Sequence, residues 1–182
     1  EKGVSIARNN GAALAKGEYI VFLDADSRIP HNFLANAIRE MKERKLDAGG
    51  CYMQPDNDRF VDKIVFFISN KLVLNALQYT KHPCTAGAGI IAKKESHIKI
   101  DGFDHRFKYC EDFDYIKRIS KSGTFRMLNS TNIVFNTRRF NVEGRSKVWL
   151  RYSIASLCYL LNIKNVAIQY EFGKFSKGVA NL

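Results

Sequence analysis

No apolar run reaches the ~18 residues of a membrane-spanning helix, which disfavours an ordinary integral membrane protein. Cysteine is sparse: Cys51, Cys84, Cys110 and Cys158 are scattered, with no CxxC pair. That spacing argues against a structural zinc site and against a disulfide-stapled secreted fold, and it fits a reducing compartment. The histidines, His31, His82, His97 and His105, show no pairing that suggests a metal cluster or a triad. There is no internal repeat and no low-complexity linker. Neither a signal peptide nor an initiator Met is present, and the chain opens on Glu1 within a helical pattern. The expectation is therefore one part of a larger protein. Acid is also in deficit, with 18 Asp+Glu against 29 Lys+Arg and a net charge of +11. Such a balance draws nucleic acid, nucleotides or an anionic membrane face. Nucleic acid is disfavoured, because stacking aromatics are not interleaved with the bases and no binding module is recognisable.

The 182 residues are 46% apolar and 26% charged, neither disordered nor fibrous, and suffice for one compact domain with a short appendage. Residues 3 to 16 carry small and apolar side chains at helical spacing, and Gly17 supplies a stop. Tyr19 to Leu23 is a short continuous apolar run. It reads as a strand buried on both faces at the centre of a parallel sheet. After Ser27 and Pro30, His31 to Lys45 places Phe33, Leu34, Ala37, Ile38 and Met41 on one helical stripe. Ala48 to Met53 reads as a second strand and 60 to 79 as a very apolar helix. The glycine-rich Thr85 to Gly89 leads into Ile90 and Ile91. A helix over 111 to 122 ends at Gly123, and 125 to 135 holds one or two short strands. Strands alternating with helices predict an α/β domain with a mostly parallel sheet flanked by helices.

From Arg138 onward the bases are Arg138, Arg139, Arg145, Lys147, Arg151, Lys164, Lys174 and Lys177, opposed only by Glu143 and Glu171. The same region holds the apolar stretch Tyr152 to Ile163. Two readings stay open: a helix packed on its own domain, or a basic amphipathic helix at a membrane interface. Residues 1–140 are accordingly read as the main domain and 141–182 as the appendage.

Three DxD pairs occur, Asp24/Asp26, Asp56/Asp58 and Asp112/Asp114. Asp24 and Asp26 stand apart because they follow the best strand, and ligands of open parallel sheets bind at such strand ends. In extended geometry positions i and i+2 point the same way, so both carboxylates would face one Mg²⁺ or Mn²⁺ shared with a substrate phosphate. The competing reading is a turn ahead of the next helix. Glu111, Asp112 and Asp114 open another helix, where acids satisfy the exposed N–H groups. Three acids exceed what a cap requires, and a carboxylate there can also act as a general base.

Together these residues resemble family 2 glycosyltransferases of the GT-A fold, a Rossmann-like architecture. The matching stretches are IARNNGAALAKGEYIVFLDADS and AGAGIIAKKESHIKIDGFDHRFKYCEDFDYIKRISKSG, in order and at fitting separation over about residues 3 to 140. The resemblance implies an inverting transferase that uses a nucleotide-diphosphate sugar. It maps the metal onto Asp24 and Asp26, the base onto Asp112 with Glu111 beside it, and the nucleotide and diphosphate contact onto Arg8 and the Asp24-Ala25-Asp26 segment. The acceptor side maps onto Gly87, Ala88 and Gly89.

Two departures accompany it. The strand–helix–strand that begins such domains has no counterpart here, so the chain reads as N-terminally truncated. The His that completes the metal site in many members is also missing from NIVFNTRRFNVEGR. Asn136 is one substitute; Arg138 and Arg139, as cationic clamps on the diphosphate, are another. The acceptor is expected to be a hydroxyl, a glycan or a lipid phosphate, and the location cytoplasmic, at the inner face of a membrane if the tail is interfacial. Rival readings are a haloacid-dehalogenase-type phosphohydrolase, with Asp24 as nucleophile, and a catalytically inactive membrane-binding scaffold.

Overall fold

The computed structural model describes residues 3–107 and 109–161. Helix α1 (Val4–Leu14) leads into strand β1 (Tyr19–Leu23), α2 (Phe33–Glu43) and β2 (Ala48–Pro55). The apolar stretch that follows comprises α3 (Phe60–Ile68), a π-helical turn (Ser69–Leu74) and the short α4 (Asn75–Leu77). Then come β3 (Gly89–Lys93), α5 (Lys94–Lys99), α6 (Glu111–Ser120), β4 (Phe125–Phe135), α7 (Arg138–Glu143) and α8 (Arg145–Leu160).

The four strands lie in the order β1-β3-β2-β4. The sheet is mixed, which corrects the mostly parallel expectation: β3 runs antiparallel to β1 and to β2, and only β2 and β4 pair in parallel. Strand β1 accordingly sits at the edge of the described sheet rather than at its centre. Its burial alternates. Ile20 and Phe22 face one core with Ala12, Tyr115, Ile116 and Ile119, while Tyr19 and Val21 pack beside Phe33, Ala37 and Met41 on the other. Helices α1 and α6 thus cover one face and α2 the opposite one, the α/β sandwich that the sequence pattern implies. A third cluster, Phe66, Phe140 and Val148, joins α3 to α7 and α8. The ion pair of Arg145 with Asp62, at 2.8 Å, reinforces that joint.

Residues 125–135 form one strand rather than two, interrupted by a register shift opposite Cys51/Tyr52. Glu40 on α2 explains how the irregularity survives. Its buried carboxylate accepts hydrogen bonds from the Asn129 N–H at 2.9 Å and the Ser130 N–H at 2.8 Å, and from Arg44. Burial works against the charge, but the bonds from Ser130, Asn129 and Arg44 outweigh it and hold the carboxyl below its ordinary range. Replacing Glu40 by Ala strands these donors, so Glu40→Ala should lower unfolding stability by about 3 kcal/mol in urea titration.

Within the region read as the appendage, 141–182, helix α8 covers Arg145–Leu160, and the bases Lys164, Lys174 and Lys177 lie outside the described residues. Among the described residues no helix is long and apolar enough to cross a membrane.

Candidate functional site

Because β3 runs antiparallel to β1, its N-terminal end meets the C-terminal end of β1. The pairing Leu23↔Gly89 sets the Asp24 segment directly beside the glycine loop. Residues 24–27 do not continue the strand. The Ser27 N–H donates to the Asp24 carbonyl at 3.0 Å, closing a turn. Strand alternation therefore does not align the two carboxylates, contrary to the extended-geometry expectation. Asp24 is held against Arg8 with its side chain 42% exposed, and Asp26 projects into solvent. Ala25 between them is exposed as well. Beyond the turn, Arg28 forms an isolated bridge with Val134, which draws the end of β4 to the same rim.

Arg8 joins the two acidic segments. Its guanidinium donates to Asp24 at 3.1 Å, to Glu111 at 2.8 Å and to the Gly87 carbonyl at 3.1 Å. It also lies over the Phe103 ring, 5.2 Å from the centroid. Asp24 and Glu111, 87 positions apart in the chain, thus flank one cation that is only 11% exposed. A planar five-donor group suits such a bridge better than an ammonium does.

Asp112 completes the wall. Burial and the neighbouring Glu111 push its carboxyl up from 3.8 to about 7, against the opposing pull of Arg8 and of the N–H groups of Phe113 and Gly87. A side chain at Gly87 would place its first carbon 2.8 Å from Arg8 and 3.1 Å from Asp112, so only glycine lets this loop close over both. Of the loop residues assigned to the acceptor side, Gly87 touches the acids, whereas Ala88 and Gly89 are buried in the sheet. Cys110, just before the pair, adopts a left-handed conformation (φ 56°), a strain of about 1 kcal/mol that turns the chain into α6.

Arg138 is exposed at the start of α7, beyond the end of β4. Arg139 donates to the Tyr152 hydroxyl at 3.4 Å, lies 3.9 Å from Glu143, and lines a recess with Tyr109 and Arg151. The structure thus brings Arg8, Asp24, Gly87, Glu111 and Asp112 together. Asn136 receives the Arg138 N–H, a local capping role.

Sequence reading passed over Asn9. Its amide brackets Phe103, donating to the carbonyl and accepting from the N–H, both at 2.8 Å. Gly102 beside it has φ +64°, and a side-chain carbon there would fall 2.5 Å from the Asn9 oxygen. Phe103 in turn stacks on Tyr115 of α6 at 3.9 Å. Adjacency to Arg8 was the available signal. Asn9→Ala should destabilise the fold by about 2 kcal/mol in thermal denaturation, through two lost bonds and stranded backbone groups.

The sequence profile described as Glycosyl transferase family 2 matches residues 1–101, more than half of the chain. The chain belongs to that family. Among solved structures, this glycosyltransferase domain is similar to Staphylococcus aureus TarS 1–349 in complex with UDP-GlcNAc. The TM-score is 0.53 with 20% identity, over 75% of this chain and 39% of that one. It is also similar to the mannosyltransferase PcManGT of Pyrobaculum calidifontis in complex with GDP-Man and Mn²⁺, at TM-score 0.52 and 23% identity, over 70% and 34%. A third likeness is GalNAc-T7 with UDP, GalNAc and Mn²⁺, at 0.52 and 16%, over 74% and 30%. At these identities the likeness concerns the GT-A fold, and the domain spans less than half the length of each. No curated protein matches it.

Among the described residues of the glycosyltransferase domain, no three His, Cys, Asp or Glu side chains are grouped to hold a metal by themselves. The donor set still suits a hard cation. Mg²⁺ and Mn²⁺ are commonly held by one or two carboxylates together with waters and substrate phosphates, and Asp24 and Asp26 are accessible oxygens of that kind.

Proposed function

We propose that this domain transfers a sugar from a nucleotide-diphosphate sugar to an acceptor hydroxyl with inversion, and that Asp112 is the base. The observation that supports the reading is the Arg8 bridge between Asp24 and Glu111, which holds two distant acidic segments against one guanidinium, with a carboxylate of raised pKa beside it. The solved neighbours with UDP-GlcNAc and GDP-Man support a donor of this class.

Asp24 and Asp26 would hold the divalent cation, which would supply neutralising charge to the diphosphate. Arg8 and the exposed Arg138 face the same developing negative charge, where fixed cations stabilise a transition state more than the ground state. On the other wall Asp112 takes the acceptor proton as the hydroxyl attacks. A carboxyl near pKa 7 is a far better base than an ordinary one, and close to the optimum for neutral pH. Gly87 keeps that wall low enough for the acceptor to approach. The acceptor in this reading is a hydroxyl, a glycan or a lipid phosphate. The phosphohydrolase alternative required the later acidic pair to end a strand, whereas Glu111 opens α6.

Thermal unfolding with Mn²⁺ and a panel of nucleotide diphosphates tests the reading. One of them at ~100 times its dissociation constant should add about 2.7 kcal/mol of stability. Asp26→Ala should reduce the Mn²⁺-dependent part of that gain. No shift with any nucleotide would instead identify an inactive scaffold.

A further inference from the structure

We infer that the outward face of α3 and the π-helical turn is a docking surface for an anionic lipid bilayer. Helix α3 is apolar on two sides. Phe66 points inward to Phe140 and Val148. Phe60 (76% exposed), Val61, Ile64, Phe67 (61%) and Ile68 point outward, and Leu72 (62%) and Val73 extend the face along the turn. Positions 60, 64, 67 and 68 form one helical stripe. A soluble surface rarely keeps so many large apolar side chains side by side, and such patches mark contact with a partner or a membrane.

Charge decides the occupant. Arg59, Lys63, Lys71 and Lys81 are all exposed along this segment. Of its two acids, Asp58 is paired with Lys63 at 2.7 Å, and Asp62 is turned inward onto Arg145. A second copy of the chain would bring the same sign, +11 against +11. A bilayer with anionic headgroups meets both requirements at once. Phe60, Phe67 and Leu72 enter the acyl boundary while the lysine stems run along it and keep their ammonium groups among the phosphates. This relocates membrane contact from the appendage to the domain itself. Helix α8 exposes a second stripe, Leu150, Ile154, Leu157 and Leu161, which serves as the comparison. None of the residues proposed for donor or acceptor chemistry lies on either stripe, so docking and transfer can fail separately.

The test is co-sedimentation of the full chain with phosphatidylcholine vesicles, with and without about one third phosphatidylglycerol. Binding should need the anionic lipid and fall severalfold when salt rises from low to about 0.5 M. The double variant Phe67→Ser/Leu72→Ser should bind at least tenfold more weakly, with an unchanged unfolding midpoint because both side chains already face water. Loss of binding in Leu150→Ser/Leu157→Ser, with Phe67→Ser/Leu72→Ser unaffected, would overturn the assignment in favour of α8. Absence of vesicle binding in a chain that still shows the Mn²⁺–nucleotide shift would overturn docking and leave transfer intact. Self-association abolished by Phe67→Ser/Leu72→Ser, without vesicle binding, would make the face a protein interface and also refute the proposal.

Discussion

Asp112→Asn is expected to reduce transfer by about 10²–10⁴-fold while the Mn²⁺–nucleotide thermal shift persists. The amide keeps the size of the side chain and its bond from the Phe113 N–H, found at 2.9 Å, but cannot take a proton. If nucleotide binding disappears with activity, Asp112 is a structural cap and the base lies elsewhere. Acidity provides a second readout. With the carboxyl raised to about 7, transfer should rise with pH through neutrality, because the ionised form is the base. Stability should move in the opposite sense. An acid whose folded pKa exceeds its unfolded value binds its proton more tightly in the folded chain, so ionisation weakens the fold as pH climbs from about 4 to about 7. The Asn variant should lack that decline, and denaturant midpoints at pH 4 and pH 8 measure it without any substrate.

Arg8→Met should be the most disruptive single change at the cleft. It removes one guanidinium from two carboxylates and a carbonyl, leaving Glu111, with a side chain only 16% exposed, uncompensated. Breaking a well-buried pair costs about 3–5 kcal/mol. The half-exposed Asp24 can be solvated instead, so a loss of about 2–3 kcal/mol is expected in urea unfolding. Transfer should fall by about 10²-fold or more, as on loss of one preorganised charge contact. Because Arg8 opposes the rise in the Asp112 pKa, its removal should also displace the ascending limb of the pH profile upward. Arg8→Lys separates the effects: it retains the charge but cannot span both acids, so the limb should move less than in Arg8→Met while stability still drops. An unmoved limb in Arg8→Met would mean that the guanidinium does not face the base.

Much of this site was legible because it is built from short-range signals. The apolar run 19–23 coincides with β1, and the acid cluster at 111–114 does open a helix. Sheet order was not legible, since strand direction depends on partners far apart in sequence. Ile90 and Ile91 look alike in a parallel and an antiparallel neighbour. Asn9 and Glu40 were missed for a related reason. Each is a polar residue whose work is to satisfy backbone groups 94 and about 90 positions away, and nothing local reports that. The turn after Asp24 was visible in the sequence beside the metal reading, and the hydrogen bond from Ser27 closes it.

The reversed direction of β3 fixes the gauge of the cleft. Five backbone pairings, from Tyr19↔Lys93 to Leu23↔Gly89, set how far the Asp24 wall stands from the Gly87 wall. A two-residue slip of the ladder would displace one wall relative to the other by about 7 Å. The aperture is thus held twice, by the main-chain ladder of β1 and β3 and by the Arg8 guanidinium that ties Asp24 to the Gly87 carbonyl.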